Sequence, residues 1–131
     1  MAGLFDTIGI SGTGLTVHRK WMDAIADNLS NANDTVPGDQ PAFAERYVEA
    51  ASAPGGGTEV VGVRYGSSEG IESYDPQNPL ADAKGYVRHA DVDMTGQMTQ
   101  MIMAQRGYEA NLSIISRATE AYQQALQLGA R

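Results

Sequence analysis

The chain contains no cysteine, and this absence excludes several kinds of chemistry together. Disulfide bridges, thiolate metal sites and a cysteine nucleophile are all ruled out. Aromatic residues are also few, at 7% of the 131 residues, although 42% of the residues are hydrophobic. A core can therefore form, and it has to consist mainly of Leu, Ile, Val, Met and Ala side chains.

Basic residues are scarce as well, with 9 Lys and Arg against 16 Asp and Glu, so the net charge is −7. A general nucleic-acid binder needs a cationic face that displaces counterions, and we expect no nucleic-acid partner here. The acids are concentrated in the middle, where residues 34–93 hold 11 acids and 4 bases. The nearly neutral ends favour close helix packing, whereas the acidic middle favours a solvated surface.

Long apolar runs are also missing. None approaches the roughly 20 residues that span a bilayer, so we expect no membrane span. Residues 1–14 lack a basic segment followed by an apolar one and do not predict a cleaved secretory signal. If the protein leaves the cytoplasm, we expect a route that uses no cleaved signal peptide.

Apolar residues recur at a seven-residue spacing near the N-terminus and predict a helix over residues 4–33. The main row is Ile8, Leu15, Met22 and Leu29, and the row three positions later is Ser11, His18, Ile25 and Ala32. Gly9, Gly12 and Gly14 weaken the first turns, so we expect a poor helix unless it has a partner.

The same spacing predicts a second helix over residues 94–128. Its main row is Met94, Met101, Tyr108, Ile115 and Tyr122, and we expect a companion row of Met98, Gln105, Leu112, Thr119 and Leu126. Such a helix is roughly 50 Å long, more than the diameter of a small globule of this mass. Part of its surface must therefore meet another molecule.

The middle of the chain is rich in strand formers and turn residues. We predict short strands over residues 43–50, 60–65, 71–74 and 85–88, and a flexible loop tip at Gly55–Gly57. The predicted fold class is α+β and mainly α, with the two terminal helices paired as a coiled coil. The expected division is an N-terminal helix (1–33), a β-rich insert (34–90) and a C-terminal helix (91–131).

The chain offers few candidates for catalytic or metal chemistry. His18 and His89 lack the spacing of metal ligands, and we interpret them as packing or surface residues. Asp91 and Asp93 resemble the opening of a calcium loop, but the twelfth position, which requires an acid, is Ile102. We predict instead that Asp93 caps the last helix, and we expect no catalytic residue, cofactor or metal.

Trp21 adjoins the main row at Met22 and has two interpretations of equal weight. It is either a core residue packed on the β-rich insert or an aromatic anchor between subunits, where such residues concentrate binding energy.

Four segments carry recognisable motifs. Residues 74–87 are Tyr-Asp-Pro-Gln-Asn-Pro-Leu-Ala-Asp-Ala-Lys-Gly-Tyr-Val, and residues 106–111 are Arg-Gly-Tyr-Glu-Ala-Asn. Residues 28–33 are Asn-Leu-Ser-Asn-Ala-Asn, and residues 38–41 are Gly-Asp-Gln-Pro. Together they resemble the bacterial flagellar rod protein family, the first segment its proximal-rod members in particular. The motif residues are Asn28, Asn31, Asn78, Pro79, Leu80, Asp82, Gly85, Tyr86, Arg106 and Asn111.

The resemblance implies a structural subunit and not an enzyme. In that family the terminal helices form an inner coiled coil around the export channel, and the insert forms an outer contact surface. The resemblance implies export through the flagellar type III apparatus and assembly in the periplasm into the drive shaft. The implied partners are further copies, other rod proteins, and ring and export-gate proteins of the basal body. Gln97, Ser30 and Gly107 depart from the family pattern.

Two other functions stay open at this point. A soluble secreted adaptor or binding module built as a helical hairpin predicts a stable, monodisperse monomer. A small metal-dependent enzyme requires a bound ion. The rod subunit predicts terminal segments that are largely disordered in the free monomer, because helices this rich in glycine are marginal alone. The residues that we expect in the assembling helix seam are Ile8, Leu15, Met22, Ile25, Leu29, Met98, Met101, Tyr108, Leu112, Ile115, Tyr122 and Leu126.

Overall fold

The computed structural model describes residues 2–130, in which two long helices flank a small β region. Helix α1 spans Ala2–Ser30 and helix α2 spans Met94–Gly129. The predicted α+β class is confirmed, and the observed helix bounds differ from the predicted ones by no more than three residues. The division into three segments with the bounds given above stays a prediction.

The two helices run antiparallel and contact each other over most of the length of α1. Phe5 meets Tyr122 near one end, with ring centroids 5.4 Å apart in an edge-to-face arrangement. Asn28 hydrogen-bonds Gln97 at the other end. Because Phe5 already lies opposite Tyr122, the last turn of α2 runs past the beginning of α1, and residues 121–130 are exposed.

Five strands form two antiparallel sheets between the helices. Their bounds are β1 Thr35–Pro37, β2 Arg46–Ser52, β3 Thr58–Tyr65, β4 Ile71–Tyr74 and β5 Tyr86–His89. The first sheet has the order β1-β5-β4, and the second is the β2–β3 hairpin. Val36 lies opposite Arg88 in the first sheet, and Val48 lies opposite Val63 in the second.

The strand predictions are confirmed for β4 and shifted elsewhere. β2 starts at Arg46 and not at residue 43, because residues 42–45 make only isolated hydrogen bonds, from Ala42 to Ser68 and from Gly66 to Glu45. β5 starts one residue late because Gly85, with φ 85°, belongs to the preceding turn. β1 is absent from the prediction because it is three residues long and ends in a proline.

The core is thin. Within the described part of the chain the buried hydrophobic residues are Ala24, Ile25, Ala42, Val87, Ala90, Ala104 and Ala118. Most of these are alanines, so the helices are held by many small contacts and few large apolar side chains. The accessible surface is 8599 Å², whereas a compact monomer of this mass exposes about 6,700 Å². The molecule is therefore elongated and leaves a surplus of surface in solvent.

The glycine-rich tip of the β2–β3 hairpin rests against α1, and its expected flexibility stays a prediction. The amide of Thr58 donates to the hydroxyl of Thr13, at 3.1 Å. Gly56 and Gly57 have φ of 92° and 86°, the left-handed region that glycine adopts without strain. A β-carbon at Gly56 would lie 3.5 Å from the side chain of Ile10, so the tip contacts the helix surface.

Candidate functional site: the helix seam and its exposed flank

We call the contact between α1 and α2 the seam, and the place of the predicted main rows in it stays a prediction. In α1, Ser11 and Ile25 are buried, with Ile25 only 1% exposed. Ile8, Leu15, Met22 and Leu29 are partly buried beside them. In α2, Met101, Tyr108 and Ile115 are partly buried, while Met94 and Tyr122 at the two ends are more exposed.

The companion row of α2 differs from the predicted one. The buried or partly buried positions lie three residues after each main-row residue, at Gln97, Ala104, Asn111 and Ala118, whereas the predicted row lies four residues after it. The expected row is exposed instead: Met98 is 58%, Leu112 is 47% and Leu126 is 55% accessible. Small and amide side chains therefore close the seam, and the more apolar row faces outward.

Close approach of the helices explains this choice of small residues. A β-carbon at Gly107 would lie 2.2 Å from Nε2 of His18, so the imidazole occupies the space that a side chain there would take. A β-carbon at Gly14 would lie 2.7 Å from the amide of Asn111. Nδ1 of His18 donates to the carbonyl oxygen of Gly14, at 2.7 Å, and this hydrogen bond fixes the ring in the seam. Bulkier residues at these glycines would force the helices apart.

A buried polar cluster joins α1, α2 and the hairpin. Asn28 is fully buried, and its Nδ2 donates to the carbonyl oxygen of Arg46 at 2.9 Å and to Oε1 of Gln97 at 3.1 Å. The amide of Arg46 donates back to Oδ1 of Asn28 at 2.8 Å. Nε2 of Gln97 donates to Oε1 of Glu45 at 3.3 Å. Polar groups paired in this way inside an apolar seam fix the register of the helices.

Sequence reasoning names Asn28 as a motif position and Gln97 as a departure from the family pattern, but it misses the contact between them and the contact of Gln97 with Glu45. The phenol of Tyr47 donates to Glu45, and this hydrogen bond raises the pKa of Tyr47 above its ordinary value. The signal in the sequence is a polar residue directly before a heptad-row position of each helix, Asn28 before Leu29 and Gln97 before Met98, because a polar side chain requires a partner when buried.

The long motif forms the turn between β4 and β5. Oδ1 of Asp82 accepts from the amides of Tyr86 and Lys84, both at 2.9 Å. These hydrogen bonds lower the pKa of the Asp82 carboxyl below its ordinary value, and the one from Tyr86 has the largest effect. Asn78 accepts from the amide of Leu80 and donates to Asp75, and Gly85 closes the turn with a positive φ. These residues shape a rigid turn, with Pro79 inside it.

The remaining motif residues lie on the helices. Nδ2 of Asn31 donates to the carbonyl oxygen of Asp27 and ends α1. Asn111 sits in the seam against Gly14, and its Nδ2 donates to the carbonyl oxygen of Gly107. Arg106 is exposed on α2. Trp21 is partly buried, with its ring centroid 6.0 Å from that of His18.

Apolar residues also stand in solvent along α2. We call Met98, Ile102, Leu112 and Leu126 the exposed flank. Met103, Ile114 and Leu128 are exposed elsewhere on the same helix. Met98 and Ile102 are four residues apart and therefore neighbours on the helix surface, and contiguous exposed apolar surface is typical of an interaction site.

The histidine and aspartate candidates named above lie within residues 2–130. Three or more His, Asp or Glu side chains nowhere group closely enough there to hold a metal ion. His89 shares a hydrogen bond with the hydroxyl of Thr35, and His18 is used in the seam. The predicted cap is confirmed: Asp93 accepts from the amide of Gly96 at 3.0 Å at the start of α2. Neither helix has an apolar stretch that would cross a membrane.

Comparison with known proteins places this helix–β–helix chain among the flagellar basal-body rod proteins. The model of the family described as flagellar basal body rod FlgEFG protein C-terminal matches residues 83–128, which include the long turn and most of α2.

Relatives that align with the chain over nearly their whole length identify the family more specifically. The chain is 36% identical to the flagellar basal-body rod protein FlgC of Escherichia coli O6:H1 over 131 aligned residues, 96% of this chain and 98% of the relative. It is 35% identical to FlgC of Salmonella typhimurium over the same shares. FlgC of Aquifex aeolicus is 34% identical over 97% of this chain and 98% of its own. The chain belongs to the FlgC family of flagellar basal-body rod proteins, and the resemblance predicted from its motifs is confirmed.

Proposed function

We propose that this chain is a structural subunit of the proximal rod, which assembles through its terminal helices into the drive shaft of the flagellum. The observation that carries the proposal is the exposed flank of α2. The helix pair closes with small and amide residues, while Met98 and Leu112 stay outside it. A chain that folded only for itself would gain by turning that apolar row inward.

The large accessible surface of the chain also supports assembly. The accessible area exceeds that of a compact monomer by roughly 1,900 Å². This surplus is of the size that two specific partners bury together in an ordinary interface. Docking of neighbouring helices on α2 would remove apolar area from water at about 25 cal/mol per Å² before the costs of association.

The seam and the exposed flank together give α2 two faces. Main and companion rows alternate along the seam at the spacing of a coiled coil, and we propose that the two terminal helices form one. The flank and the final turn of α2 then take helices of neighbouring subunits. The expected seam residues Met98, Leu112 and Leu126 act between subunits in this arrangement, and Ile8, Leu15, Met22, Ile25 and Leu29 act within one.

The finer role follows from membership in the family and from the charge distribution. We propose that the shaft transmits torque and encloses the export channel, and that the subunit is exported without a cleaved signal peptide to the periplasm. The proposed partners are further copies, other rod proteins, and the ring and export-gate proteins of the basal body. The acidic middle of the chain, residues 34–93 with 11 acids and 4 bases, provides the solvated outer surface. No catalytic step and no cofactor enters this proposal.

The decisive experiment removes the exposed flank without disturbing the fold. The variant Met98→Ser with Leu112→Ser replaces the native copy in the bacterium. Both residues are exposed, so the free energy of unfolding of the purified chain should change by less than about 1 kcal/mol. We expect swimming to fall strongly and the subunit to disappear from isolated basal bodies.

The matched control is Ser113→Ala with Gln127→Ala, which alters two exposed positions of α2 outside the flank. It should leave both swimming and incorporation normal. Recovery of the flank variant in basal bodies at the normal level, together with normal swimming, would contradict the proposed function.

A further inference from the structure

The β2–β3 hairpin lies across the face of α1 that points away from α2. Thr13 and Ile10, which meet the hairpin tip, are about half a turn away from the main row at Leu15 and Ile8. Lys20, Asp23, Ala24 and Asp27 line the groove between the same face and the base and middle of the hairpin, opposite Arg46, Val48, Val60 and Val63. Helix α1 is thus enclosed between α2 and the hairpin.

The base of the hairpin is firmly attached. The side chain of Asn28, which is fully buried, bonds both the amide and the carbonyl oxygen of Arg46, as a neighbouring strand would, and these two hydrogen bonds are partly buried. Nη1 of Arg46 lies 2.7 Å from Oδ2 of Asp27 in a salt bridge. The amide of Gly66 donates to Glu45 at 2.8 Å across the two strands at the same level.

The tip is attached weakly by comparison. Its hydrogen bond to α1 is the one from the Thr58 amide to the hydroxyl of Thr13, which itself donates to the carbonyl oxygen of Ile10 at 2.6 Å. This contact is exposed to solvent, and residues 49–52 of β2 are exposed throughout. A two-stranded sheet with both outer edges free is marginal in water unless it packs on something else.

A β-bulge separates the two halves. The register shifts between Glu49 and Ala50, so that Val61 in β3 is left without a partner. Bulges interrupt the ladder and bend the bulged strand. The attachment at the base and the weak contact at the tip therefore lie on opposite sides of a natural hinge.

We propose that the β2–β3 hairpin is a hinged strap, which opens from its tip at Thr13 while its base stays fixed on Asn28. Opening uncovers the outer face of α1 around Ile10, which is apolar and already partly exposed. The strap thereby controls how much apolar surface α1 presents. The proposal concerns the free chain and does not depend on assembly into a rod. It requires α1 to be ordered from Ile10 to Asn28, so the disorder expected at the ends of the free chain has to lie outside this segment.

The absence of native cysteine makes a direct test possible, because two introduced cysteines carry the only spin labels. The tip pair is Thr16→Cys with Glu59→Cys, and the base pair is Thr16→Cys with Arg64→Cys; all three positions are exposed. Pulsed electron resonance on the full chain measures the distance distribution of each pair. We expect a closed and a longer distance for the tip pair and one distance for the base pair.

The variant Thr13→Val removes the acceptor of the tip contact and keeps the shape of the side chain. It should raise the ratio of open to closed tip distances about fivefold, the effect of one ordinary hydrogen bond. The matched control is Thr7→Val, since Thr7 bonds only within its own helix, to Gly3. That control should leave the ratio unchanged.

Three results would overturn the strap. One is a single tip distance that Thr13→Val does not alter. Another is an equal lengthening of the tip and base pairs, which would mean that the whole hairpin leaves α1. The third is a broad distance distribution for both labelled pairs in the chain that keeps Thr13, which would mean that α1 itself provides no fixed surface.

Discussion

At the scale of single residues, Gly107 decides how closely the two helices meet. The sequence shows it only as an unusual glycine in the interior of a long helix, where it costs about 1 kcal/mol relative to alanine. The structure shows that the imidazole of His18 fills the space beside it and is held there by Gly14. The loss in helix propensity is therefore offset by a contact with the opposite helix.

This contact predicts an inverted response to a substitution that normally stabilises helices. Gly107→Ala should lower the free energy of unfolding by about 1–3 kcal/mol, because the added methyl group overlaps His18. Denaturant unfolding followed by circular dichroism measures it. His18→Ala in the same chain should recover part of the loss.

Gly12→Ala serves as the control for this prediction. Nothing lies within 4 Å of a β-carbon at Gly12, so the same change in α1 should be neutral or stabilising. A Gly107→Ala protein that is as stable as the native chain or more stable would show that the helices do not meet as closely as described.

At the scale of the elements, the sequence predicts what depends on local pattern. Heptad spacing places both helices, turn residues place β4, and the Asp93 cap follows from its position before an apolar run. The sequence does not predict β1, because this three-residue strand ending in Pro37 forms by pairing with β5 and not through its own strand propensity.

The sequence selects a different companion row of α2 from the observed one, and the reason is not the same as for β1. Hydrophobicity favours Met98 and Leu112 for the seam over Ala104 and Asn111, and periodicity alone cannot separate two rows on either side of the same main row. The pairing is decided by what α1 presents, namely glycines and a polar Asn28 that accept small or amide partners. Those are tertiary facts, so the buried cluster around Asn28 is only partly visible in the sequence.

The disorder that we predict for the ends of the free chain becomes more specific with the structure. Protection of amides from hydrogen exchange should be greatest near Ile25 and Ala104, where α1 and α2 are buried against each other. It should fall toward residues 121–130, which are exposed and run past α1. Strong protection through both ends of the dilute monomer would contradict the prediction.

At the scale of the whole molecule, surface and charge are distributed unequally. The accessible area of 8599 Å² belongs to an elongated body with a thin, alanine-rich core. Residues 34–93, the insert and the few residues after it, carry a net charge of −7, while the helices are nearly neutral. Repulsion between copies therefore acts at the insert, and apolar attraction acts along α2.

This distribution predicts self-association that depends on concentration and salt. Sedimentation of the native chain should show higher assemblies as concentration rises, and added salt should favour them by screening the acidic inserts. The double variant Met98→Ser and Leu112→Ser should sediment as a monomer throughout. A native chain that stays monodisperse at all concentrations would instead favour a soluble adaptor built as a helical hairpin.

Trp21 gives the seam a property of a different kind. It is the chain's only tryptophan, and its ring lies beside the imidazole that fixes the contact at Gly107. Ultraviolet emission from this one indole comes entirely from the helix pair, with no contribution from a second site. The wavelength and intensity of the tryptophan fluorescence therefore report, without any added label, when the two helices come together or separate.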